Sequence, residues 1–224
     1  MPSTTEFPLL AVMCAVAFAC WLANRVRRPV YVMLDWDLTC DCMSTPGEED
    51  VATSGARRKF KNKVQLSDAE EIAYMTRLRL FLSVLLRRQE KDELRLFIVT
   101  RNSAKNVKWM LEHVVHMNAS DFVVLSDCKG EKSKAEMLQR YLCLADEDME
   151  GVVVLADDSS SEHANAASYA LKKWSGVSMR HVRVRRPAKG QLYFDRNVGH
   201  QYGMMNQGNV VNDFWWAVHS CNIS

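Results

Sequence analysis

Proline is scarce, at five in 224 residues, and net charge is nearly absent, since 29 Lys and Arg against 27 acidic residues leave +2. The scarcity of proline excludes a collagen-like or low-complexity chain, and 48% apolar residues are too many for disorder. With 25% charged residues the chain is too polar for a multi-span membrane protein. The missing basic excess removes the global argument for nucleic-acid binding, so no nucleic-acid partner is expected. No internal repeat of about 20–50 residues is present. The seven cysteines include no CxxC pair: Cys14 and Cys20 lie in an apolar run, Cys40 and Cys42 form only a CxC, and Cys128, Cys143 and Cys221 stand apart. An odd number without metal or redox spacing reads as buried thiols in a reducing compartment.

One long apolar run is present. Residues 9–23, LLAVMCAVAFACWLA, carry no charge, with no Lys or Arg before them and Arg25, Arg27 and Arg28 after. The run has the length of a short membrane span or of a signal-peptide core, and small residues at 15, 17 and 19 could serve a signal peptidase. Positive charge on the C-terminal side favours a signal-anchor that leaves the N-terminus outside and the remainder in the cytosol. A cleaved leader and a buried helix are the alternatives. The expected organisation is an anchor with its basic flank at 1–28, a domain at 29–185 and a C-terminal tail at 186–224.

Beyond Pro29 the chain alternates. PVYVML (29–34), LRLFIVT (94–100), DFVVLS (121–126), GVVVLA (151–156) and VSMRHVRV (177–184) read as strands. Between them lie helices expected from Ser67, near 103–115, near 133–144 and near 161–174. The first opens on SDAE, a capping-box pattern, and sets Ile72, Met75, Leu78, Leu82 and Leu85 or Leu86 on its apolar face. Four strand-to-helix steps predict an α/β domain: three-layer and Rossmann-like, with a mostly parallel sheet, preceded by one N-terminal apolar helix. The polar interval 40–66 and the helix after it form a small flap.

In such sheets ligands sit at the carboxyl ends of the strands. There stand Asp35, Asp37 and Thr39, then Thr100, Arg101 and Asn102, then Lys129, Lys132 and Lys134, and finally Asp157, Asp158 and Glu162. Clustered carboxylates need a cation, and hard oxygen donors few in number suit Mg2+.

These residues resemble the four motifs of the haloacid dehalogenase-like (HAD) superfamily. DWDLT at 35–39 is similar to its DxDx(T/V), FIVT to its strand ending in Thr at Thr100, and a lysine at a helix start to its third motif. ADDSSSE is similar to its acidic fourth motif, with Glu162 as the distal acid. The resemblance spans residues 30–185 and implies a Mg2+-dependent phosphatase or phosphotransferase working through an aspartyl-phosphate. Asp35 is then the nucleophile and Asp37 the general acid and base, with Thr100 and Lys134 on the phosphoryl oxygens. Lys132 and Lys129 stay open as alternatives to Lys134. Thr39, Arg101, Asn102 and Lys132 are expected to bind substrate. The metal would lie on Asp35, the Asp37 carbonyl, and Asp157 or Asp158. Leu38 departs from the glycine of many such phosphatases, and Trp36 is bulky.

The intervals 40–93 and 115–129 leave room for a minimal cap or none. In the family an open site goes with a macromolecular or partner-closed substrate, here a phosphoprotein, a phospholipid head group or another exposed phosphomonoester. Basic stretches at 56–63 and 180–196 could meet anionic lipid or a phosphorylated substrate, or be solvated surface. The tail, from residue 191 onward, reads as packed and irregular, with His200 structural. The alternative function is a HAD-fold binding or scaffold protein at the membrane, without turnover.

Overall fold

The computed structural model describes residues 29–37, 39–40, 68–144, 150–186, 194–195, 199–200 and 203–220. The apolar run 9–23, the basic stretch 56–63, Ser67 and most of the 40–66 flap lie outside the described residues. Among those described, no helix is long and apolar enough to cross a membrane.

Five apolar runs pair because their backbone groups, once buried, must find partners in one another. They are β1 (Val30–Leu34), β2 (Arg95–Thr100), β3 (Val123–Ser126), β4 (Gly151–Asp157) and β5 (Val177–Arg183). The sheet is ordered β3-β2-β1-β4-β5 and every pairing is parallel. β1 and β4 are buried along their whole length, as central parallel strands must be. The edge strands β3 and β5 are more exposed, and β5 carries Arg180, His181 and Arg183.

Alternation along β1 divides the core. Val30, Val32 and Leu34 face one apolar layer, while Tyr31 and Met33 face the other. The first layer is closed by α1 (Asp68–Gln89), α2 (Ala104–His113) and α5 (Gly208–His219). The second is closed by α3 (Lys134–Leu144) and α4 (Ser160–Lys173). The chain therefore winds outward from β1 on one face, crosses over, and winds outward from β4 on the other. Between β1 and β4 the direction reverses, which is where such sheets open a crevice.

Several expectations are corrected. Ile72 is 66% exposed, whereas Tyr74 and Phe81 are buried beside Met75, Leu78, Leu82 and Leu85. At about 100° per residue Ile72 lies roughly 120° around the helix from Leu78, and Tyr74 only about 40°. β3 starts at Val123 rather than 121, because Asn118 caps a 3-10 turn at Ala119–Asp121. The expected irregular tail contains α5, whose Val210, Phe214, Ala217 and Val218 recur at helical spacing and are buried. Asn209 and Asn212 speak for a loop, but burial of that stripe outweighs their weak local preference. Phe81 of α1 meets Phe214 and Trp215 at centroid distances of 5.1 and 5.6 Å. Cys40 is buried as expected, but Cys128 and Cys143 are exposed, one in the turn after β3 and the other on the outer side of α3.

Candidate active site

β1 delivers Asp35 to the sheet edge, and the Asp35 N–H donates to the Ala156 carbonyl of β4 at 2.9 Å. The chain then turns sharply, Cys40 N–H donating back to the Asp35 carbonyl at 3.2 Å. That turn carries Thr39 beneath the carboxylate, where its hydroxyl donates to Asp35 Oδ2 at 3.2 Å. Tyr74 of α1 supports the turn from below, its hydroxyl donating to the Cys40 carbonyl at 3.0 Å. The tail supports it as well, through Met204 N–H to the Thr39 carbonyl at 2.8 Å.

α3 brings Lys134 into the same space. Its Nζ lies 2.6 Å from Asp35 Oδ1 and 2.5 Å from Asp157 Oδ2, with the side chain 2% exposed. Of the three lysines considered, Lys134 is the one placed between the acids. Lys129 is exposed, and Lys132 contributes its main-chain N–H to Asp127 Oδ2 at 2.7 Å.

β4 supplies two further acids. Asp157 Oδ1 accepts from Ser159 N–H at 2.7 Å, and the Ser159 hydroxyl caps α4 at Glu162 N–H. Asp35, Asp157 and Asp158 each present a carboxylate oxygen within 4.8 Å of the others. Three carboxylates against the Lys134 ammonium and the Arg186 guanidinium leave one negative charge when all are ionised. Asp158 Oδ2 is buried and accepts no hydrogen bond, although Arg186 Nη1 stands 3.5 Å away. Uncompensated charge and an orphaned oxygen in a set of hard oxygen donors fit a divalent cation such as Mg2+.

The electrostatics follow from burial. Loss of water pushes the Asp35 carboxyl well above its usual range; Lys134 opposes this and Asp157 adds to it. The Asp158 carboxyl is pushed up to about 6, first by burial and then by Asp157. Burial alone would lower the Lys134 ammonium, but Asp35 and Asp157 outweigh it and hold the proton on.

The expected substrate-binding residues are distributed differently. Thr100 is buried at the end of β2, its hydroxyl accepting from Asn102 N–H at 3.0 Å. Asn102 Nδ2 reaches Asp37 Oδ2 at 3.4 Å, so the half-buried Asp37 side chain stands apart from the acid trio. Arg101 binds Glu162 through Nε and Nη2, both at 2.9 Å, and Asp127 through Nη1 at 3.1 Å. Glu162 is therefore a partner of Arg101 and not a member of the acid cluster. The reason is reach: one turn into α4, it faces β2 across the sheet edge. Asp127 gathers Arg101 and the Lys132 backbone, and these two hold its carboxyl below the usual range, the Lys132 N–H first. It follows β3 directly, so the strand-end rule that finds Asp35 applies to it equally. No sequence signal marks Met204 or Tyr74, which arrive from other parts of the chain, while Arg186 belongs to the basic stretch 180–196 without being singled out within it.

No family model and no curated protein matches the chain. Among solved structures it is similar to the HAD domain of effector protein Lem4 from Legionella pneumophila. Identity is 15% and the TM-score 0.46, over 87% of this chain and 97% of that one. An inactive mutant of the same domain gives 13% identity and a TM-score of 0.44, over 86% and 97%.

Proposed function

We propose that the protein is a HAD-like, Mg2+-dependent phosphatase or phosphotransferase acting through an aspartyl-phosphate on Asp35. The observation that carries this reading is convergence. Asp35, Thr100, Lys134 and Asp157 are buried polar side chains from four separate strand-to-helix junctions, gathered at one sheet edge. Burial of polar groups is costly, and a fold that served packing alone would have apolar residues there.

In this reading Asp35 attacks phosphorus in line while Thr39 and Lys134 fix the orientation of its carboxylate. Asp37, half-buried and steadied by Asn102, protonates the leaving oxygen and then takes a proton from the incoming water. Thr100 and Lys134 supply hydrogen-bond donors as charge develops on the phosphoryl oxygens. Asp35, the Asp37 carbonyl, Asp157 and Asp158 would hold Mg2+, which neutralises phosphoryl charge when bound. The substrate is an exposed phosphomonoester, a phosphoprotein before a small metabolite, presented at a membrane to which residues 1–28 tether the domain.

Release of phosphate from p-nitrophenyl phosphate by the full chain tests the activity. Wild type is expected to depend on Mg2+, and Asp35→Asn to lose at least about a thousandfold in rate. An Asp35→Asn variant as active as wild type would overturn the reading.

A further inference from the structure

Among the described residues of the basic stretch 180–196, Arg186 reaches the site. Arg186 Nη1 lies 3.5 Å from Asp158 Oδ2, and that oxygen accepts no hydrogen bond from it. The pair is thus held by charge alone, at a distance longer than a formed hydrogen bond. The two partners differ in setting: the Asp158 side chain is 7% exposed and that of Arg186 52%. Asp158 is fixed and dry, while Arg186 has open water beside it.

The backbone under Arg186 is pinned. Val184 N–H donates to the Asp157 carbonyl at 2.9 Å. The buried Gln207 clasps Arg185 from both sides, accepting from its N–H at 3.0 Å and donating to its carbonyl at 2.9 Å. A buried amide spent on one residue's backbone fixes the root of the next side chain and leaves its long stem able to pivot. Lys134 has no such freedom, being locked between two carboxylates.

Resting on the phosphatase reading, we propose that Arg186 is a displaceable counter-ion that couples the cation to the substrate. Without the cation its guanidinium neutralises Asp158. When a divalent cation takes the Asp158 oxygen, the like charges repel and the guanidinium swings outward from its fixed root. There it meets a phosphate oxygen of the substrate as a planar, permanently charged donor. Cation and phosphate then favour each other's binding, and by linkage the effect is reciprocal.

Isothermal titration of the full chain with MgCl2, alone and with inorganic phosphate, tests this without turnover. Arg186→Ala and the shape-preserving Arg186→Gln should each bind Mg2+ about fivefold more tightly than wild type when phosphate is absent, since a half-exposed competing pair is lost. Both should also lose the mutual enhancement that phosphate and Mg2+ show in wild type. Unchanged Mg2+ affinity in both variants, or an enhancement that survives, overturns the proposal, as does a wild type that binds no Mg2+. Failure of the phosphatase reading would show instead in the Asp35→Asn rate.

Discussion

Asp158 carries a cost that the native chain bears whenever no cation is bound. Its carboxyl is raised from 3.8 to about 6 in the folded state, so the native form holds the proton more tightly than the unfolded form does. The sign is the reverse of the usual carboxylate. Below about pH 3 both forms are protonated and there is no penalty; as pH rises through about 4 to 6 stability falls, and above that the loss is constant, of order 3 kcal/mol. In metal-free buffer at pH 7, Asp158→Asn should therefore melt higher than wild type, with the difference vanishing near pH 3. Saturating Mg2+ should stabilise wild type and not the variant, because binding to the native form alone adds to its stability. Calorimetric scans at the two pH values decide it; equal melting temperatures at pH 7 would remove the penalty.

Two contacts between elements set how much the fold depends on single positions. Gly151 opens β4 with φ +104°, and a Cβ there would lie 2.2 Å from the Pro29 carbonyl oxygen, which accepts from Val152 N–H. Both partners are backbone, so neither yields. Gly151→Ala should cost about 3 kcal/mol or more, read as a lower denaturation midpoint. Phe214 of α5 is fully buried and stacks edge-on against Phe81 of α1, so Phe214→Ala should cost about 3–5 kcal/mol by chemical denaturation. A loss below about 1 kcal/mol would mean that α5 is a loose cover. The same elements show what the chain reveals by itself. β1, β2 and β4 are legible because burial on both faces demands unbroken apolar runs, and Asp35, Thr100 and Asp157 follow from where those runs stop. α5 is not, since asparagine and glycine mask a four-residue apolar stripe. The partnership of Arg101 with Glu162 is not legible either, because sequence orders the strand ends but does not say which side chains meet across them.

At the scale of the whole molecule, the proposed anchor and the sheet make separate claims. If residues 1–28 tether the protein, their deletion should move it from the membrane pellet to the supernatant while leaving phosphate release from a soluble ester unchanged. A deletion variant still in the pellet would assign attachment to the basic stretches instead. The layer that α1 and α2 begin is completed only by α5, and the Met204 N–H that steadies the Thr39 turn lies just before that helix. During synthesis the residues of the acid cluster all emerge by Asp158, yet the turn beneath Asp35 waits for Met204 and its apolar cover for Phe214. A ribosome-bound chain stalled between those points displays every acid of the site on an unfinished support, so under the proposed function the order of translation itself would delay the binding of cation and phosphate.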